Sequence, residues 1–531
     1  MTFKLRKLSK ARTTSSKSNE DEGAKTEKNE PLSDSLAQNV EAVKQKTGNS
    51  ADISIREITL NDQAHTKAAV VFVEGIVDQQ AIDDFLIHSL INDDDLKKNP
   101  ADNILETIAE KVVALGELTR VHNHSELFQA LFNGETVVLI EGFSEGVSTD
   151  TKGGESRSVD EPPTEISLRG PREGFTESIR TNTSLVRRRI KNEKLWVKSI
   201  TLGKVTNTDV EIMYIDGLAE SDIVQEVENR LNRINTDSIL ESGYIEELIE
   251  DQTATTFPTI AHSERPDVVT GNLLEGKIAI FIDGTPFVLM VPAVFVQFFQ
   301  SVDDYYSRFD IATSIRLLRI IIFITSLFAP AVYVAATTFH QEMIPTQLLI
   351  VLAAQREAAP LPAVVEAILM EIIFEVLREA GVRMPKAVGQ TISIVGALVI
   401  GQAAVQAGIV SPAMVIVVAV TAIASFATPS YNIAIAARLI RFVNMIAAAT
   451  FGFYGIILTF IVLLIHLCSL RSFGVPYMAP LAPFDASGAG DTIIRMPWWK
   501  VKKRPALTVD GNVMRQGDNQ KPSPPTDRTM K

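Results

Sequence analysis

Glu366, Glu371, Glu375 and Glu379 interrupt a stretch that is otherwise largely apolar, between Pro362 and Ala380. Pro362 suits a first helical turn. At about 100° per residue, Glu371, Glu375 and Glu379 gather on one polar face. Glu366 falls between Ile373 and Leu377 instead, in the middle of the apolar face. A buried carboxylate without a partner is expensive, so a cation path, a partner subunit or a neutralising proton must satisfy it. In a ring of identical subunits, repeated Glu366 side chains would favour cations, with Val364 and Val365 as an apolar constriction. Glu366, Val364, Val365, Glu371 and Glu375 are therefore the candidate ion-path residues. The alternative for Glu366 is a protonated carboxyl hydrogen-bonded to a neighbouring helix.

Other chemistry is sparse. The chain contains no G-x-x-x-x-G-K-[ST] loop, H-E-x-x-H, paired C-x-x-C or G-x-S-x-G. His122-Asn123-His124 lacks a nearby cysteine or acid ligand set and reads as surface histidines. The single cysteine, Cys468, sits in an apolar run and reads as a small buried hydrophobe. No enzyme activity, cofactor or metal is expected. A dense basic block runs from Pro171 to Lys191 and includes Arg172, Arg180, Arg187, Arg188 and Arg189. Gly174 and Thr176 suit a helix start, and the later arginines fall in its last turn, where the macrodipole favours cations. It is either a solvated charged helix or a docking surface for anionic lipid or an acidic partner.

These residues need elements to hold them. Ile320–Phe339, Ala387–Ala437 and Phe442–Leu470 contain no Asp, Glu, Lys or Arg. A bilayer core needs roughly 20 apolar residues per helix. The first and third runs predict one span each, and the second predicts two, hinged at Ser411-Pro412. Ala397, Gly401, Ala404 and Gly408 form a small-residue stripe there, either a helix-packing contact or filler. Residues 343–383, broken by Pro345, Pro360, Pro362 and charges, predict a re-entrant or cavity-lining segment. Arg308, Arg316 and Arg319 mark the first span's near side as cytoplasmic, as Arg471 and Lys500, Lys502, Lys503 and Arg504 do for the C-terminal tail. Arg438 and Arg441 fit that topology less well.

The 531 residues exceed one domain, and net charge −13 argues against a nucleic-acid partner. A mean hydropathy of +0.13 averages two unlike halves. Residues 1–50 are polar and predict a disordered tail without a secretory signal. Four apolar runs end in an acid and then glycine: Val70–Gly75, Val137–Gly142, Ile212–Gly217 and Ile278–Gly284. Gly75 to Gly142 and Gly217 to Gly284 are both 67 residues (142 − 75 and 284 − 217). Fixed spacing marks a duplicated unit. The expected architecture is α+β and multi-domain: duplicated α/β cytoplasmic subdomains, then an all-α polytopic membrane domain. Its segments are a tail (1–50), a first α/β subdomain (51–150), a linker (151–164), a second α/β subdomain (165–300), a membrane domain of four to six spans (301–485) and a cytoplasmic C-terminal tail (486–531). The tail is expected to be disordered after about Asn512. Ile278–Ile282 and Phe287–Val291 predict a hairpin turned at Asp283-Gly284.

The basic block resembles the signature of the A subunits of the GerA family of spore-germination receptors. So do Ile282–Val288, Asp303-Asp304-Tyr305-Tyr306, Thr337–Thr346 and Met370–Gly381. The resemblance runs from about residue 50 to 505, and Arg356–Pro360 departs from it in having less glycine. It implies a chain in the inner membrane of the dormant spore, with a permease-like B subunit and a lipoprotein C subunit as partners. Nutrient sensing by such receptors triggers release of monovalent cations and calcium dipicolinate, and the A subunit oligomerises to form or gate an ion path. A secondary transporter and a membrane-anchored scaffold are the competing readings.

Overall fold

The computed structural model describes residues 30–61, 66–83, 118–154, 161–162, 165, 167–357, 359–384, 396, 399–485, 488–511 and 513–523. The chain forms two units: Met1–Val159 with Phe175–Ser199, and Asp160–Gly174 with Ile200–Lys531.

The first unit opens with α1 (Leu36–Lys46), whose Leu36, Val40 and Val43 are buried in its core. Residues 30–50, expected to be part of a disordered tail, are thus an ordered part of the fold. Three apolar residues at i, i+4 and i+7 give a helix one buried stripe even when its composition is polar. The unit's sheet contains β1 (Ile53–Asn61), β2 (Thr66–Val73), β3 (Leu118–Val121), β4 (Glu135–Ile140) and β5 (Gly146–Asp150), in the order β1-β2-β4-β5-β3. All its pairings are antiparallel. Also in the unit are α2 (His124–Phe132) and α3 (Ile179–Arg187).

β6 (Leu195–Leu202) runs across the boundary and edges the second sheet, which is completed by β7 (Thr208–Ile215), β8 (Ala261–Ser263), β9 (Ile278–Ile282) and β10 (Val288–Val291). Its order is β6-β7-β9-β10-β8, the same topology. The registers agree residue for residue. Val70 faces Val138 in the first sheet and Ile212 faces Ile280 in the second, a shift of 142 on both sides (212 − 70 and 280 − 138). Val138↔Val147 matches Ile280↔Leu289, and Val121↔Gly146 matches Ser263↔Val288, at the same shift. All four acid–glycine endings place their glycine in the left-handed region, with φ of +81° at Gly75, +89° at Gly142, +70° at Gly217 and +87° at Gly284. Only glycine adopts that turn without strain. Between the strands lie α4 (Ser221–Arg233), α5 (Ser242–Ile249) and α6 (Pro266–Leu273).

Two expectations need correction here. The sheets are antiparallel, so each repeat is α+β rather than a βαβ unit. A strand-then-helix pattern carries no information on strand direction. The second subdomain is not continuous from residue 165: residues 165–174 fall in the second unit, but 175–199, with α3, fall in the first.

Unit 2 continues through α7 (Asp303–Tyr306) into apolar helices: α8 (Phe309–Thr338), α9 (Thr346–Glu357), α10 (Ala363–Arg383), a helical stretch at 399–406, α11 (Pro412–Phe426), α12 (Tyr431–Phe451) and α13 (Phe453–Ser469). Among the described residues, α8 and α12 are long and apolar enough to cross a membrane, while α11 and α13 are shorter apolar helices. Their shared core holds Ala331 and Val334 of α8, Ala367 and Met370 of α10, Met414 and Val418 of α11, and Met445 and Ala448 of α12. Phe442–Leu470 is not one span: Gly452, at φ +62°, separates α12 from α13. A Cβ there would lie 2.6 Å from the His340 ring. Cys468 is exposed on α13 rather than buried, because an apolar sequence does not fix which face meets neighbours. Residues 513–523, part of the stretch expected to be disordered, make contacts: Lys503 bridges Met514, and Arg515 pairs with Glu275 at 2.8 Å.

Candidate functional site: buried charges among the apolar helices

Pro330 lies inside α8. A proline has no N–H to give to the carbonyl four residues back, so the Ser326 carbonyl needs another donor. Arg441 of α12 supplies it: its Nε donates to Ser326 O at 2.6 Å. The Asn444 amide donates to the next carbonyl, Leu327 O, at 3.3 Å. The same guanidinium turns its Nη1 to Glu371 Oε2 of α10 at 2.6 Å, and both residues are buried. Arg438, one turn earlier on α12, pairs with Glu375, one turn later on α10. Arg378 stands beside Glu375 at 3.5 Å and donates to Ser425 Oγ of α11 at 2.9 Å. Two charged rungs therefore cross-link α10 and α12 inside an apolar bundle. Both arginines that fitted the topology poorly are in them, since buried charge must be paired. The signal in the sequence was their i, i+3 spacing opposite Glu371 and Glu375 at i, i+4.

The rungs are incompletely satisfied. Arg441 Nη2 and Glu371 Oε1 are buried with no hydrogen-bond partner among the described residues. Glu366 lies on the same buried face of α10, beside Ala363, Ala367 and Met370. Its Oε2 accepts from both the backbone N–H and the hydroxyl of Ser411, each at 2.9 Å, while Oε1 is unpartnered among the described residues. Ser411 is the N-cap of α11 and Pro412 its first residue. The carboxylate thus sits at a helix N-terminus, which favours negative charge. Val365 points the other way and is 42% exposed, in line with Ile372 at 49% and Val376 at 63%. Val364 is half-buried. The ion-path candidates therefore divide between two faces of α10. Glu379 leaves the rungs and pairs with Arg383 on the surface.

The other sequence candidates separate as well. Arg187 is fully buried, with Nε on Asp52 Oδ2 at 2.8 Å and Nη2 on Asp52 Oδ1 at 2.9 Å. It cannot serve a docking surface. Arg188 donates to Gly153 O at 2.8 Å and is partly buried, and so is Arg189. Arg172 and Arg180 are exposed, with Arg180 3.4 Å from Glu74. Ala397 lies outside the described residues. Gly401 is buried against Val415 of α11, where an added Cβ would be 3.5 Å from its side chain. That is a contact within the chain. Ala404 is half-buried, and Gly408, at φ +67°, ends its helix instead of extending a stripe. His122 is exposed but His124 is buried in α2. Burial holds the His124 imidazole below its usual pKa.

A further cluster had no forecast. Asp304 accepts from Arg316 at 3.2 Å and Arg319 at 2.8 Å, and Arg316 reaches Asp491 at 3.0 Å. Tyr305 donates to Asp491 at 2.8 Å, and Tyr306 to Asp267 at 2.6 Å. Arg316, read as marking the cytoplasmic side of the first span, is fully buried here. The Asp303-Asp304-Tyr305-Tyr306 run is a knot joining α7, α8 and the C-terminal segment.

Residues 41–507 match the sequence model of the Bacillus/Clostridium GerA spore germination protein family. Spore germination protein KA of Bacillus subtilis (strain 168) is 58% identical over 499 residues, covering 94% of this chain and 91% of that one. An uncharacterized membrane protein of the same strain, YfkQ, is 43% identical, over 91% of this chain and 93% of its own. The crystal structure of the N-terminal domain of the A subunit of the Bacillus megaterium spore germinant receptor GerK3 is 45% identical. It covers 51% of this chain and 99% of that chain, at a TM-score of 0.42.

Proposed function

The chain belongs to the GerA family of spore germination proteins as one of its A subunits, and on that premise we propose that it lies in the inner spore membrane and helps to open an ion path in response to nutrients. It acts with a permease-like B subunit and a lipoprotein C subunit, and several copies assemble around the path. No catalytic step is involved.

One observation carries the ion-path reading: the two faces of α10. The inner face holds Glu366, Glu371 and the link to Arg441, which fixes the helix to α11 and α12. The outer face leaves Val365, Ile372 and Val376 largely uncovered by the described residues. Copies of that face around an axis make an apolar constriction that gates by dewetting. Val365, with Val364 behind it, is the narrow point. Glu366 positions α11 instead of touching ions. Liposomes carrying the full chain with its B and C partners provide the test, read as potassium flux on nutrient addition. Val365→Asp should raise nutrient-independent flux several-fold. Unchanged flux in that variant at normal protein levels removes α10 from the path.

A further inference from the structure

Unit 2 holds a partly open cavity of about 320 Å³ whose lining includes none of the rung residues. One wall is Lys277, Val294, Val296 and Gln297 of the second sheet region, and the other is the C-terminal segment from Met496 to Thr508. That segment is fastened over it: Thr508 Oγ1 donates to Glu275 O at 2.8 Å, Arg504 Nε to Leu274 O at 3.0 Å, and Arg515 pairs with Glu275. Gly276 leaves room for the approach, since a Cβ there would lie 2.6 Å from Thr508 O.

Lys277 is the unusual member. It is buried, and its Nζ donates to Gln297 Oε1 at 2.6 Å. Gln297 is held in turn by Nε2 donating to Asn272 Oδ1 at 3.2 Å, so its oxygen faces the lysine. Among the described residues no carboxylate forms an ion pair with Lys277. An ammonium has three donors and here meets one neutral acceptor. A buried cation without a counter-charge is expensive, and a site that keeps one is prepared for an anion. Burial brings the amine down to about 8, so it still carries its proton at neutral pH. Val294, Val296, Val475, Pro480 and Leu507 supply the apolar part of the lining, and the carboxylates that border it are Glu275, paired with Arg515, Asp491, paired with Arg316, and Asp485.

We propose that this cavity binds a small monocarboxylate with an apolar body, the carboxylate on Lys277 and the carbon chain along the valines. One uncompensated charge calls for one negative charge. Arg515 is already committed to Glu275 and Lys502 to Asp518, and Lys500 and Lys503 are exposed at the rim, so among the described lining residues Lys277 is the buried cation left for the ligand. The volume lies at the lower end of ordinary small-molecule sites. The proposal does not depend on the ion-path reading.

Hexanoate and its neutral counterpart hexanamide are the probes, titrated calorimetrically into the full-length protein in a non-ionic detergent. Hexanoate should bind saturably, and hexanamide at least tenfold more weakly. Lys277→Met should abolish the difference. Hexanoate affinity should fall several-fold between pH 7 and pH 10 as the amine loses its proton. Equal affinity for acid and amide, or undiminished hexanoate binding by Lys277→Met, overturns the proposal. If Lys277→Met does not fold, Ala506→Trp takes its place. Ala506 is exposed at the cavity wall, so the indole should fill the space and block hexanoate without disturbing the core. Hexanoate binding unaffected by Ala506→Trp also overturns the proposal.

Discussion

Arg187 in the first unit and Arg441 among the apolar helices are both buried arginines on helices, and each meets one carboxylate. They differ in completeness. Arg187 holds Asp52 through two parallel bonds, donates to Asn192 O and Ser50 Oγ at 3.3 Å, and lies 5.2 Å from the Phe132 ring centre. Arg441 meets Glu371 through one bond and fills a carbonyl vacated by a proline, with one nitrogen left over. The first arrangement has no alternative of equal quality. The second leaves Arg441 Nη2 and Glu371 Oε1 without partners among the described residues. Completeness of a buried ion pair, more than its presence, separates the clamp at Arg187 from the less complete joint at Arg441.

Breaking the clamp should have the largest effect. Arg187→Met leaves Asp52 buried without a cation, at a cost of about 3–5 kcal/mol. The full-length protein should lose the cooperative unfolding of its first unit, followed by hydrogen exchange in β2 and β4. Arg187→Lys should recover less than half, because a lysine cannot make the forked contact. Full recovery by lysine would mean that charge alone matters there.

At the joint the expected loss is smaller, roughly 1–3 kcal/mol for Arg441→Met. Adding Glu371→Gln should restore most of it, because the stranded charge is then gone. A double-mutant cycle on thermal unfolding measures the coupling. If Arg441→Met costs as much as Arg187→Met, the contrast between clamp and joint collapses.

Lys277 extends the comparison to a buried charge with no ion-paired carboxylate among the described residues, although the charge of Glu275 still acts on it. Its folded pKa is depressed to about 8 from 10.5, so the unfolded chain holds the proton more tightly. Stability should therefore rise with pH from about 8 to 10.5 and be reduced below that window. Lys277→Met should stabilise the protein at pH 7 by roughly 2–3 kcal/mol, with the gain vanishing above the window. A melting temperature that drops at pH 7 would show that Gln297 satisfies the lysine.

How much of this was legible in the sequence depended on range. The acid–glycine endings at Gly75, Gly142, Gly217 and Gly284 exposed the repeat because left-handed turns leave a residue signature, and the registers then followed at a constant shift. α1 was hidden because composition over residues 1–50 averages out three buried apolar residues. The break at Gly452 was hidden because the uncharged run continues through it. Arg441 and Glu371 lie 70 residues apart, and the matching spacings of Arg438 and Arg441 and of Glu371 and Glu375 do not by themselves say that the two helices meet. The sequence marks Glu366 as a carboxylate needing a partner, and the turn before α11 places Ser411 against it.

The smallest expected effect concerns Glu246 of α5, a mirror image of Lys277. Burial is the main reason its carboxyl is pushed up to about 7, with the charges of Glu250 and Glu241 adding to it. Below pH 4.5 the group is protonated whether the chain is folded or not, and its contribution is fully present. Between 4.5 and about 7 the folded protein alone keeps the proton, so stability falls as pH rises, and above that window the loss is complete. Glu246→Gln removes the titrating group and keeps its shape. It should flatten this part of the melting curve against pH and leave the protein more stable by about 1–2 kcal/mol above pH 7. Glu165, whose carboxyl burial also lifts to about 7, titrates in the same window and should carry a comparable part of the slope. Burial also raises Glu220, Glu250 and Asp491, so the double variant Glu165→Gln, Glu246→Gln should be flatter from pH 4.5 to 7 than either single variant without being flat. If the double variant keeps the full slope of the parent, Glu165 and Glu246 are not its source.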